Sequence, residues 1–160
     1  MATYTDEIGF DRGSAGFHEK GLHRIAKLEV TLDIDAIVAA RLAAGATALA
    51  AGDILEALPI AAGTYVIAAG LNVTTATAAT CTVDLGDGSD VDGYVDGYDP
   101  DTVGYVAPTF ALTEAAPNTI IGYGAGKLYA AADTIDLVLL TAIPTGAVIK
   151  VWAIAANLRP

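Results

Sequence analysis

From Lys27 onward, apolar and polar residues alternate one by one. Leu28, Val30, Leu32 and Ile34 interleave with Lys27, Glu29, Thr31, Asp33 and Asp35, and a period of two places the apolar set on one face of a half-buried strand. Asp35 then predicts the N-cap of a short helix over 36–44, ended by Gly45; a side-chain acceptor at the start, helix-favouring alanines within and a glycine after the last turn are the reasons. Residues 46–51 read as loop or strand. Further strands are predicted over 53–58, 64–75, 80–85, 119–123, 127–130, 133–141 and 147–158, with turns at 59–63 and at Pro144-Thr145-Gly146. Within 64–75 the predicted buried face is Tyr65, Ile67, Ala69, Leu71 and Val73. The last strand is apolar on both faces, with Ile149, Val151 and Ala153 on one and Val148, Trp152 and Ile154 on the other. Such a strand is either central and covered twice or lies at an interface.

Roughly eight short strands separated by Gly/Pro turns predict an all-β fold, an antiparallel β-sandwich that is jelly-roll-like, rather than alternating helices and strands. Residues 1–25 have no sustained period and carry Gly9, Gly13, Gly16 and Gly21, which predicts an extended N-terminal arm ahead of a single domain over 26–160. The 160 residues, 54% of them apolar, suit one core of ordinary domain size. The longest uncharged stretch, 57–83, has the length to span a bilayer, but Pro59, Gly63, Gly70, Asn72 and six threonines interrupt it. Met1 to Glu7 holds no basic region and no apolar run, so no secretory signal is predicted and the chain reads as soluble and made in the cytoplasm. The excess hydrophobicity then calls for a subunit interface.

Charge narrows the function. Eight Lys and Arg against nineteen Asp and Glu give a net charge of -11, which disfavours nucleic-acid binding, since that depends on neutralising phosphates. Five of the basic residues, Arg12, Lys20, Arg24, Lys27 and Arg41, fall in the first 41 positions, and none lies between Leu42 and Gly126, where ten carboxylates sit. A basic stretch beside an acidic body predicts an arm lying across its own or a neighbouring subunit; a disordered terminus is the alternative. Catalytic machinery is scarce: His18, His23, Cys81, Ser14 and Ser89 are the whole stock of histidine, cysteine and serine. No metal-binding Cys/His spacing occurs, one cysteine forms no intrachain disulfide, and Cys81 reads as a small core residue.

The most distinctive stretch, Asp84 to Asp99, is acidic and glycine-rich. Clustered carboxylates repel, and a hard cation relieves the repulsion. No cofactor is otherwise implied, and calcium is the candidate cation, with Asp87, Asp90, Asp92 and Asp99 as candidate ligands. With Gly93 at the sixth position of a calcium-loop pattern, Asp90 and Asp92 fall correctly, Gly88 replaces the first ligand and Asp99 stands where glutamate is usual. A solvated hairpin loop is the plainer reading. The repeat Asp92-Gly93-Tyr94 and Asp96-Gly97-Tyr98 offers tyrosines for sugar or protein contact. Carboxylate pairs such as Asp133 and Asp136 suit glycoside hydrolysis in principle, but Trp152 is the single tryptophan available to shape a sugar cleft.

The runs Ala51 to Thr64, Val73-Thr74-Thr75, Asp84 to Asp90, Gly126 to Leu137 and Val151-Trp152-Ala153-Ile154 together resemble small structural proteins of tailed bacteriophages. The resemblance spans roughly residues 26–158 in style and order and leaves out the arm. It implies a non-enzymatic virion protein, made in the host cytoplasm: a head decoration or cement protein on the capsid exterior, trimeric and partnered with the major capsid protein, with no membrane and no nucleic-acid contact. Phe10, Arg12, Phe17 and His18 are then candidates for capsid or neighbour contact through the arm. Val148, Lys150, Trp152 and Ile154 are candidates for the subunit interface; for Trp152 the alternative is that it fills the core. A calcium-dependent or carbohydrate-recognising adhesion module on a virion or tail surface is the second reading.

Overall fold

The computed structural model describes residues 3–4, 10–11, 25–106 and 122–158. In chain order the elements are β1 (Thr3–Tyr4), β2 (Phe10–Asp11), β3 (Ile25–Asp33), α1 (Ile34–Ala43), β4 (Ile54–Ile60), β5 (Thr64–Thr75), β6 (Val83–Asp87), β7 (Asp90–Tyr98), β8 (Gly104–Val106), β9 (Lys127–Tyr129), β10 (Asp133–Leu139) and β11 (Val148–Asn157). They form two sheets. The first runs β1-β4-β10-β6-β7 and the second β2-β3-β11-β5-β8, with β9 also paired to β5. All pairings are antiparallel except β1 with β4.

Setting aside the short β1, β2 and β9, eight strands remain, and their order is diagnostic. The second sheet takes the first, eighth, third and sixth of them, and the first sheet takes the second, seventh, fourth and fifth. This interleaving of two Greek keys is the jelly roll. The prediction of an all-β antiparallel sandwich holds.

Local chemistry explains most elements. The alternation at Lys27 to Asp33 makes β3, with Val30 and Leu32 fully buried. The helix starts earlier than its pattern suggested: Asp33, not Asp35, is the N-cap, and its carboxylate accepts from the Ala36 N–H at 3.0 Å. Asp35 instead falls in the first turn and Arg41 in the last, each complementing the helix dipole. Ile34 and Ile37 are fully buried in the core, and the buried Arg41 donates to the Thr47 carbonyl.

Three expectations fail for tertiary reasons. In β5 the buried face is Val66, Ala69, Leu71 and Val73, while Ile67 is exposed and Tyr65 half-buried. A register shift opposite Ile154/Ala155 inserts a residue there, and a bulge reverses every side chain before it. Most of the acidic stretch expected as a loop is strand β7, which at the end of the first sheet accommodates acids that would be costly in a central strand. Gly122 and Tyr123, expected in a strand, lie in a turn; residues 119–121 are outside the described residues. Cys81 precedes β6 rather than lying within it and is buried as expected.

The core lies between the sheets. Leu55, Val83, Leu85, Ile135, Leu137 and Leu139 face Val30, Leu32, Leu71, Val73, Ile149 and Val151. Each such side chain contributes on the order of 1.5–3 kcal/mol by leaving water.

Candidate assembly surface and the buried Asp87 cluster

β11 is central in the second sheet, between β3 and β5, and its two apolar faces have different fates. Ile149, Val151, Ala153 and Ala155 point into the core. Val148, Lys150, Trp152 and Ile154 point out of the sandwich together, so the four interface candidates share one surface. Trp152 does not fill the core. Its indole lies over Gly70 of β5, where a Cβ would come within 2.7 Å of the ring, and its Nε1–H donates to the Leu71 carbonyl at 3.3 Å. The register sets Glu29 opposite Trp152 on the other side, and Glu29 accepts from Lys27 and, at 3.2 Å, from Lys150. The Lys27 ammonium, opposed by burial and helped by Lys150, holds the Glu29 carboxyl below its ordinary range. These ion pairs are largely exposed and add little stability. Around them Ile25, Ile67, Ile154 and Tyr105 are exposed, so this face combines apolar side chains with compensated charge.

The acidic stretch resolves into a different object. The β6–β7 turn brings Asp87 between the sheets, where its carboxylate is a hub. It accepts from the N–H of Ser89 (2.8 Å) and Asp90 (3.2 Å), from the hydroxyls of Tyr123 (2.9 Å) and Tyr129 (2.8 Å), and from the Lys127 ammonium. Tyr94 and Tyr129 hydroxyls meet at 3.2 Å, and the Tyr94 and Tyr123 rings pack edge to face at 4.9 Å. Lys127 also lies 4.2 Å from the Tyr123 ring centre and 4.8 Å from that of Tyr129, a cation over two aromatic faces. Burial alone would raise the Asp87 carboxyl; Lys127, Tyr129, Ser89 and Tyr123 outweigh it and hold it below its ordinary range. Burial in turn pushes the Tyr94, Tyr123 and Tyr129 hydroxyls well above theirs, which keeps them donors at all physiological pH.

The four candidate metal ligands are therefore not one ring. Asp87 is engaged by Lys127 and two tyrosines. Asp90 and Asp92 sit beside each other, and the hydrogen bond that a protonated Asp90 donates to Asp92, and then burial, raise the Asp90 carboxyl. Asp99 follows the far end of β7, nine residues from Asp90 and so roughly 30 Å away along an extended chain. Of the arm candidates, Phe10 lies in β2, which pairs with β3 at Leu32, while Arg12, Phe17 and His18 are outside the described residues. The pairing of β1 with β4 and of β2 with β3 sets those parts of the arm along the chain's own body. Sequence reasoning missed Lys127, Tyr123 and Tyr129 as partners of Asp87; a lone lysine after 85 residues without a basic side chain was the available signal.

No protein-family model matches the chain, and no curated protein matches it in sequence. The fold does have matches. A chain from the capsid of Ralstonia phage GP4 superposes with a TM-score of 0.60 at 13% identity, over 99% of this chain and 100% of that one. A chain from the cyanophage Pam1 capsid asymmetric unit superposes with a TM-score of 0.52 at 13% identity, over 92% of each chain. The jelly roll is thus shared nearly end to end with chains of two phage capsids.

Proposed function

We propose that this chain is a non-enzymatic structural protein of a phage virion, a decoration or cement protein on the outside of the head that binds the major capsid protein and bridges capsomers as a homotrimer. The end-to-end likeness to two capsid chains of matching extent carries the reading. The outward face of the second sheet around β11 supports it by offering Ile154, Ile67 and Ile25 and the half-buried Trp152 for burial against copies of the chain, and the arm, through Phe10, Arg12, Phe17 and His18, adds contacts to neighbours. Several modest contacts on a symmetric lattice then give high avidity.

Two measurements test it. Light scattering of the purified protein is expected to give the mass of a trimer, and Ile154→Glu is expected to shift it to monomer by placing a charge in the interface; a wild-type monomer would remove the preassembled trimer. Co-sedimentation with heads assembled from the major capsid protein is expected to bring the protein down at saturating stoichiometry, and its absence from the pellet would overturn the capsid role. Calcium has no part in this reading, because Asp87 is already compensated by Lys127. The melting temperature is therefore expected to be equal in millimolar calcium and in chelator. A calcium-dependent rise lost in Asp90→Ala or Asp92→Ala would favour the adhesion module instead.

A further inference from the structure

The centre of the first sheet holds an acid that neither the fold nor the proposed function uses. Asp136 lies on β10, flanked by β4 and β6, with Glu56 and Gly86 as its register partners. Its exposure is 7%, and Oδ1 is buried without a hydrogen-bond partner. Among the described residues the charged groups that act on it are acids: Glu56 from β4, Asp133 from its own strand and Asp87 from β6. The register puts Asp84 of β6 one pair further along the same face, opposite Val138. Lys127 of β9 is bound to Asp87. The β4–β10 register also shifts between Ile135 and Asp136, so the pairing is irregular at this very point.

We propose that Asp136 is a proton-operated latch: with its carboxyl neutral the β4–β10–β6 ladder closes over it, and with the carboxyl ionised the ladder loosens. A buried carboxylate that lacks a donor on one oxygen and whose charged neighbours are acids is costly, and a proton removes the repulsion and most of the desolvation cost. Burial, opposed by the Thr134 hydroxyl and reinforced by Glu56, Asp133 and Asp87, lifts the carboxyl to about 6. The sign follows. A carboxyl raised above its unfolded value binds a proton more tightly in the folded state, so stability falls as pH rises from the ordinary carboxylate range through about 6. The consequence reaches the arm, because β1 pairs with Ile54 and Leu55, immediately before Glu56. The latch thus sets how firmly the first sheet grips the N-terminal strand.

Amide hydrogen exchange on the full chain, corrected for intrinsic rates, tests this at pH 5.0 and 7.5. Wild-type amides in β4 and β10 are expected to be about tenfold better protected at pH 5.0. Asp136→Asn, which cannot ionise, is expected to abolish the difference and match the acid-state protection at both pH values. The asparagine variant isolates the contribution of Asp136: a tenfold difference that survives in it overturns the proposal, as does a flat wild-type profile. Should that variant fail to fold, Glu56→Gln supplies the second reading; it is expected to move the midpoint to lower pH, and an unmoved midpoint counts against the latch.

Discussion

Asp87→Ala is expected to destabilise the body by about 3–5 kcal/mol, the cost of leaving a buried ion without its partner. For a chain of this size that is a fall of roughly 10 °C in melting temperature, read by circular dichroism. The size of the effect comes from how many groups depend on one carboxylate. Its side chain is fully buried, that of Lys127 is 18% exposed, and alanine would leave the ammonium and the Tyr123 and Tyr129 hydroxyls facing a void. Asp87→Asn, which keeps an acceptor for the tyrosines but strands the lysine, is expected to fall between alanine and wild type. The pair Asp87→Asn with Lys127→Met should recover part of the loss, since removing both charges is less costly than removing one. The pH dependence has a definite sign. The folded Asp87 carboxyl is held below its unfolded value, so its contribution is complete above the ordinary carboxylate range and is lost as pH falls through the folded value. Asp136 acts in the opposite direction and at higher pH, so the stability profile should peak between the two. Equal melting of Asp87→Ala and wild type would mean that the hub is ornamental.

Gly86→Ala is the second large effect, expected to reach or exceed the upper end of the roughly 1–3 kcal/mol usual for overpacking. A Cβ at Gly86 would stand 2.0 Å from the Asp90 carbonyl oxygen and 2.4 Å from the Val91 carbonyl carbon. Both are backbone atoms, so no rotamer change relieves the clash, and the β6–β7 hairpin must open. Opening it disturbs the turn that carries Asp87 and its N–H donors at Ser89 and Asp90. Gly88→Ala is the matched control two residues away: nothing lies within 4 Å of its Cβ position, so its melting temperature should stay near wild type. If urea midpoints of the two variants coincide, close approach is not the reason for the glycine at 86.

These two positions show where reading the chain succeeds and where it stops. Asp87, Asp90 and Asp92 stand in the sequence as a cluster of like charges, and close carboxylates are more easily held where a cation meets them. The cation that meets Asp87 is the Lys127 ammonium, forty positions downstream on a strand of the other sheet. Nothing local to either residue encodes that encounter; it follows from the crossing of the chain between the two sheets. Gly86 likewise reads as a turn residue in a Gly/Asp-rich stretch, whereas its place in the fold is a strand position against which the neighbouring strand's backbone presses.

The sequence by itself determined the class of structure. Alternation along Lys27 to Asp33 and Val148 to Asn157, punctuated by glycine and proline, specifies strands with one core face because side chains on an extended chain alternate whatever the strand later pairs with. It also determined that Val148, Lys150, Trp152 and Ile154 share a face, since they are spaced by two. Only the tertiary structure decided that this face is the outside of the sandwich, that the bulge in β5 turns Ile67 outward beside it, and that Asp136 is buried among acids while Asp87 is buried with a lysine. Those outcomes depend on register and on which strands become neighbours, and the energies that choose them are summed over contacts between residues far apart in the chain.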